Sequence, residues 1–259
     1  MAAGDDAAAT DRRGRRRLET VEEILDAAAG IMAEQGAGGL TLGELARRIG
    51  VRPPSLYGYF DSKNALYDAL FERGWTRLNQ TMATQLPGVR EAPEPRAQAL
   101  SVAETFVRWS VENAAYAQLM FWRPVPGFEP SAQAYAPAVE AMRRARQVLT
   151  VLQDRGVLDR ASDLDEALGA WVVIVSGVVS QQLSNAPHEA FEDGTFTRLL
   201  PQLTSMFLTH YGSGGGTDDR TSSNPACGRT AADQPGRSTR GGRSPARRDP
   251  GAAARTRRG

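Results

Sequence analysis

"LTLGELARRIGVRPPSLYGYFDSKNALYDAL", Leu40 to Leu70, decides how this chain folds. Thr41 has the side chain of a helix N-cap, and Glu44, three residues on, completes a capping box. Leu42, Leu45, Ala46 and Ile49 then fall on one face of a short helix, and Gly50 ends it. Pro54 suits the first turn of the next helix, where a missing N–H costs nothing. Asp61 or Ser62 caps a longer helix running from Lys63 to about Met82. A buried short helix joined by a tight glycine turn to another is the helix-turn-helix pattern.

Working outward, the spacing stays helical. Val21, Ile24, Leu25, Ala28, Ile31 and Met32 form an apolar stripe, with Thr20 and Glu23 as a capping box and Gly36 as the stop. Three helices of roughly 16, 8 and 7 residues thus precede the longer one. The Pro-rich stretch Leu86–Pro95 reads as a break. Helices follow at about Arg96–Asn113, Ala115–Trp122, Ala132–Arg155, Leu164–Leu183 (capped by Ser162 or Asp163) and Phe191–Tyr211. "WVVIVSGVV", Trp171–Val179, has strand propensity, but "SDLDEALGA" leading into it favours a buried helix. The expectation is an all-α protein without internal repeats. From Gly212 the chain turns to Gly, Ser, Thr, Pro, Ala and Arg, which cannot offset their own ordering entropy, so 212–259 reads as a disordered tail.

Composition bounds the rest. The chain is 41% hydrophobic and 24% charged, ordinary for a globular protein. A net charge of +1 hides a split, because "TDRRGRRR" (10–17) packs Arg12, Arg13, Arg15, Arg16 and Arg17 against Asp11 alone. Residues 1–17 read as a basic, disordered arm, able to neutralise phosphates or to stay solvated. The single cysteine, Cys227, lies in the tail, so no disulfide framework exists within one chain. The N-terminal arginines lack the apolar run of a signal peptide, and Trp171–Val179 is short of the about 20 apolar residues of a membrane span. The reading is a cytoplasmic protein without a membrane partner. His188 and His210 have no metal-ligand spacing, and no phosphate-cradling glycine loop is evident, so neither cofactor nor enzymatic activity is expected.

The capped second helix, the "GV" turn, the "PSLYGYF" third helix and the lysine that follows resemble the DNA-binding domain of the TetR-like family of bacterial transcription regulators. The resemblance is close over Thr20–Trp75 and looser over the helical remainder; "AQLMFWRPVPGFEPS" and "VSGVVSQQLSN" also look like a ligand-binding half of that family. It implies a DNA-binding domain at 18–75, a ligand-binding and dimerisation domain at 76–211, and a homodimeric, ligand-responsive repressor on a palindromic operator in double-stranded DNA. Lys63, the sole lysine, stands where the positive end of a helix dipole repels a cation. By resemblance it meets a phosphate together with that helix end, so both positive features gain when the anion arrives. Tyr59 stands where the family often carries histidine as a phosphate donor, and Tyr57 near bases and phosphates, although Tyr57 also fits as a core filler beside Leu56 and Phe60. Arg52, Pro53, Pro54 and Ser55 lead into the helix that reads base edges; Arg52 pairs with guanine or stays solvated. Thr41 is a cap that also meets phosphate. Gly43 departs from relatives with a long side chain there, and Gly58 has none either, so direct base readers are few.

In the second half, aromatic and sulfur side chains gather around a proline loop. An apolar cavity with a few polar groups is the usual small-molecule site. Trp109, Met120, Phe121, Phe128 and Trp171 are the candidate pocket residues, each equally readable as core. The effector is then an unidentified small apolar molecule. By resemblance the last two long helices form the dimer face, with Val172, Val175, Ser176, Val179, Ser180 and Leu183 on one stripe that also suits an intramolecular core. The competing function is a helical small-molecule-binding protein whose N-terminal helices serve protein interaction.

Overall fold

The computed structural model describes the backbone of residues 3–212 and, from Gly14 on, their side chains except that of Leu86. Ten α-helices and no strand occur among the described residues: α1 (Ala3–Gln35), α2 (Leu42–Ile49), α3 (Pro53–Leu56), α4 (Lys63–Met82), α5 (Gln85–Glu91), α6 (Pro95–Glu112), α7 (Ala114–Trp122), α8 (Ala132–Asp154), α9 (Leu164–Asn185) and α10 (Leu200–His210). The all-α expectation holds, and α4 has the bounds its cap implies. Ser62, not Asp61, is that cap: its Oγ accepts from Ala65 N at 3.0 Å. Asp163, not Ser162, caps α9, accepting from Asp165 N and Glu166 N.

Four expectations need correction. Residues 3–17 are not a disordered arm but the first turns of α1. Alanine and arginine, both good helix formers, make up nine of these fifteen residues. Thr20 is therefore no cap; it sits inside the helix, and its hydroxyl donates to Arg16 O at 2.9 Å. The Leu86–Pro95 break contains α5, whose Pro87 falls in the first turn, where an absent N–H breaks no helical bond. Finally, 191–211 is not one helix. Its first part is loop, because Gln182 Oε1 takes the N–H groups of Phe196 (3.0 Å) and Thr197 (3.4 Å), and α10 begins only at a 3-10 turn with Pro201 in its first turn. Beyond Gly212, the tail reading lies outside the described residues.

Two apolar cores build the molecule. One joins α1 to α4 with α7 and includes Ile24, Ile31, Leu45, Leu56, Leu66 and Tyr67. The other joins α5, α6, α8, α9 and α10 and includes Val107, Leu149, Trp171, Val179 and Phe207. Met82, Phe106 and Phe121 pack against both, so the seam between the cores runs past them. The long helix α4 crosses that seam, and the expected boundary at 75/76 falls inside it. A polar cluster pins it there. Buried Arg73 pairs with Glu22 (2.7 Å) and Asp26 (2.6 Å) of α1 and donates to the Tyr116 hydroxyl of α7 at 3.3 Å. Asn79 Nδ2 donates to Pro137 O at 2.8 Å, tying α4 to α8.

Candidate nucleic-acid interface

The head is shaped by local chemistry. Thr41 Oγ1 accepts from Glu44 N at 3.2 Å and so caps α2, while the Glu44 carboxylate, expected to close a capping box, is taken by Arg47. Gly50 takes a left-handed conformation (φ 73°) that side-chain-bearing residues resist, and Val51 N closes the turn onto Ala46 O at 2.9 Å. The two prolines open α3, which lasts four residues before a tight turn returns Tyr59 N to Leu56 O at 2.9 Å. Leu56 and Phe60 anchor this unit in the core. Everything between them and α2 faces out: Arg52, Pro53, Pro54 and Ser55 are exposed, as is Thr41, and Tyr57 is 54% exposed. The core-filler reading of Tyr57 is thereby set aside.

Tyr59 and Lys63 are half-buried. The Arg17 guanidinium lies 5.1 Å from the Tyr59 ring centre, bringing the basic end of α1 beside it. Lys63 Nζ lies 5.3 Å from the ring centre of Tyr67, which is fully buried and donates its hydroxyl to Ala37 O at 2.6 Å. Burial pushes the Tyr67 phenol above its ordinary range, so it stays a neutral platform for the ammonium. On α2, Arg47 is held bidentately by Glu44 and Arg48 by Glu34, and each partner's carboxyl is drawn below its usual range, mainly by that hydrogen bond. A Cβ at Gly43 would meet nothing within 4 Å, so the missing base reader there is a choice of residue and not a lack of room. Arg12 and Arg13 lie outside the residues whose side chains are described.

The body encloses a cavity of about 440 Å³ at the seam between the cores. Of the candidate pocket residues, Phe121 and Trp171 line it. The other three are elsewhere. Met120 packs on Gly74, where a Cβ would come within 2.6 Å of its sulfur. Phe128 packs against Tyr67 in the head's core, ring centres 5.5 Å apart. Trp109 is buried and faces a separate shallow groove with Thr81 and Arg108. The wall residues that sequence reasoning missed come from α4 and α6, among them Trp75, Leu78, Asn79, Met82 and Phe106, and from α8, among them Met142, Arg143 and Arg144. Two of them are a tryptophan and an asparagine one turn apart on α4, a mixed polar and aromatic face, and that was the available signal.

The proposed dimer stripe is used within the chain. Val175, Val179 and Leu183 are buried, and Val172, Val175 and Ser176 line the cavity. The face of α9 left open carries Val173 (70% exposed) and Gly177, with Ser180 at its edge; α10 and its approach add Leu199 (42%) and Met206 (60%). By length and composition α9 would also cross a bilayer, but here it packs as a wall of the second core.

This architecture has known counterparts. A sequence model described as bacterial regulatory proteins, tetR family, matches residues 24–70. The class C tetracycline repressor of Escherichia coli is 31% identical over 172 residues, which span 65% of this chain and 68% of that protein. The chain belongs to the TetR family. An uncharacterised helix-turn-helix regulator of Bacillus subtilis, YobS, is 37% identical over 97 residues, 38% of this chain and about half (49%) of that protein's length. Among solved folds, the TetR-family regulator PfmR of Thermus thermophilus superposes with a TM-score of 0.57 at 19% identity, over 71% of this chain and 96% of its own. The family is one of transcriptional regulators and not of enzymes.

Proposed function

We propose that this TetR-family protein binds a palindromic operator as a homodimer and is a repressor released by a small apolar ligand. The observation that carries the reading is that Thr41, Arg52, Ser55, Tyr57, Tyr59 and Lys63, at the starts of α2, α3 and α4 and the turn between the last two, all stand exposed or half-exposed. Lys63, Tyr59 and Thr41 contact phosphate and set position; Arg52, Pro53, Pro54, Ser55 and Tyr57 meet base edges. The basic turns of α1 run on beyond the head as a helix and add phosphate contacts through Arg15, Arg16 and Arg17.

Two heads must lie about 34 Å apart to enter successive major grooves. The open faces of α9 and α10 supply the pairing surface: Val173, Leu199 and Met206 are large apolar side chains in water, and Gly177 and Ser180 let two helices approach closely. A ligand acts through α4. The helix begins at Lys63, the proposed phosphate contact, and has Trp75 and Asn79 in the cavity wall about 18–24 Å along its axis. Occupancy of the cavity shifts α4, and with it the spacing of the heads, only if the ligand binds one spacing more tightly. The setting is the bacterial cytoplasm.

The test is to sequence DNA fragments selected by the purified protein and then titrate the best fragment. An inverted repeat is expected. Lys63→Ala is expected to weaken binding roughly tenfold to every sequence and to lower the salt slope by about one ion. Retention of full affinity by Lys63→Ala and Tyr59→Ala alike refutes the assigned face, and absence of any selected sequence favours a head that binds protein.

A further inference from the structure

The cavity is apolar within and cationic at its rim. Buried Leu78, Val102, Val148, Trp171 and Val175 build much of its wall, and no aspartate or glutamate lines it. Among the described residues, its only charged wall residues are Arg143 and Arg144 of α8. Their side chains are 55% and 36% exposed, so both stand where the hollow meets water. The volume of about 440 Å³ lies in the range of small-molecule sites.

The two guanidinium groups share one carboxylate. Glu140 accepts from Arg143 Nε and Nη2 at 2.7 Å each and from Arg144 Nε at 2.6 Å. It does not line the cavity; it lines a neighbouring groove between α4 and α8, which Arg144 and Asn79 also reach. The same hydrogen bonds hold its carboxyl at about 2, so Glu140 is ionised at neutral pH. Two positive charges against one negative leave one positive charge over at the rim.

Donors are left over there as well. Arg144 Nη1 donates to Asn79 O at 3.1 Å, but Arg143 Nη1 and Arg144 Nη2 have no acceptor among the described residues. One turn further along α8, the Gln147 side chain also lines the cavity and has no hydrogen-bond partner among them. An anion at the rim would meet these groups while keeping part of its hydration, and so would escape most of the cost of burying a charge. Away from the rim, the polar groups are engaged: the Asn79 amide donates to Pro137 O, and the Ser176 hydroxyl to Val172 O at 2.6 Å. A second charge placed there would find no counterpart.

We infer that the cavity takes a monoanionic amphiphile, its apolar body along the buried wall and its one negatively charged end group at Arg143 and Arg144. This rests on the ligand-responsive role proposed for the body and names the class of the ligand, but its test needs no DNA.

Three probes of equal chain length isolate the charge: decanoate, 1-decanol and decanedioate. Each is titrated, below any micelle-forming concentration, into the purified full chain without DNA, and binding is followed by the fluorescence of Trp75 and Trp171, which line the cavity. At low salt decanoate is expected to bind about fivefold to tenfold more tightly than decanol, between the worth of an exposed ion pair and that of a charge-assisted hydrogen bond. That preference is expected to shrink in high salt, because the rim is open to water. Decanedioate, whose second carboxylate would enter the apolar wall, is expected to bind at least about tenfold more weakly than decanoate. Two variants count the charge. Arg143→Gln leaves the rim neutral, so the preference for decanoate is expected to vanish while decanol still binds. Glu140→Gln leaves both arginines without their shared carboxylate, so the preference is expected to grow. Lost packing alone would not move two neighbouring variants in opposite directions. Equal affinity for decanoate and decanol, decanedioate binding as tightly as decanoate, binding of none of the three, or a preference that moves the same way in both variants overturns the inference. Because operator binding is measured separately, failure here leaves the DNA reading standing, and failure there leaves this one standing.

Discussion

The head and the body solve their structural problems at different ranges. In the head, each side chain offered to the outside is placed by residues within a few positions of it: Thr41 by its own cap, Arg52 and Ser55 by Gly50 and two prolines, Lys63 by Ser62. In the body, the cavity exists because α4, α6, α7, α8 and α9 meet, and its wall residues are as much as a hundred positions apart, from Trp75 to Ser176. A surface set by local rules tolerates repacking behind it. A hollow set by distant elements depends on every one of them. The Arg73 cluster is where the two regimes touch, since it fastens the head's α1 to the helix that lines the cavity.

That joint gives the largest expected effect. Replacing Glu22 and Asp26 together by alanine strips both carboxylates from a guanidinium that is only 8% exposed. Breaking a buried pair from the side that leaves the charge behind is costly, and the two acids are more than half exposed, which lowers the figure; about 2–3 kcal/mol is expected from urea unfolding at fixed protein concentration. Arg73→Met, which removes the charge along with its hydrogen bonds, should cost less. If the order is reversed, the cluster is not what holds head to body.

The difference in range also explains what could be read from the sequence. The helix-turn-helix and the α4 bounds were legible because caps, glycine and proline act over three or four residues, whereas the DNA roles proposed for Tyr57, Tyr59 and Lys63 came from the resemblance to the TetR-like family. The cavity was legible only in Phe121 and Trp171. Met120 and Phe128 have the composition of a pocket but fill the head's core, and no periodicity distinguishes one apolar destination from another. Part of the α9 stripe turns inward for the same reason. Val175, Val179 and Leu183 do form one face, but a face of that kind goes to whichever apolar surface is available, and here α6 and α10 of the same chain provide it. The loop before α10 was lost to a long-range effect as well, the side chain of Gln182 reaching backbone N–H groups 14 and 15 residues on.

A matched pair of caps sharpens the contrast. Ser62→Ala removes the acceptor for Ala65 N at the head end of α4; Asp163→Ala removes the acceptor for Asp165 N and Glu166 N at the start of α9. Each is expected to cost about 1 kcal/mol of stability in denaturant unfolding. Their functional consequences should part. On the proposed reading, Ser62→Ala disturbs the turn that carries Lys63 and so weakens operator binding, whereas Asp163→Ala leaves the operator affinity of the folded protein unchanged. Equal losses of affinity would mean that local placement does not govern the head.

The smallest effect is in acid, and it too separates the regions. Two arginine side chains hydrogen-bond Glu140 in the body, holding its carboxyl at about 2, against an ordinary value of 4.5. A carboxyl depressed in the folded state contributes stability that is fully present above 4.5 and is lost as pH falls toward 2. In Glu140→Gln that part of the acid limb should flatten, while the variant starts from slightly lower stability at neutral pH. Glu44 in the head is also drawn down, but by the hydrogen bond of Arg47 alone at the head of its causes, so Glu44→Gln should flatten the limb less. The two curves, recorded by circular dichroism between pH 5 and pH 2, test whether acid loosens the wall of the cavity before it loosens the proposed DNA face. If Glu44→Gln has the greater effect, the head is the acid-sensitive region, and protonation would release DNA by melting the reader and not by way of α4.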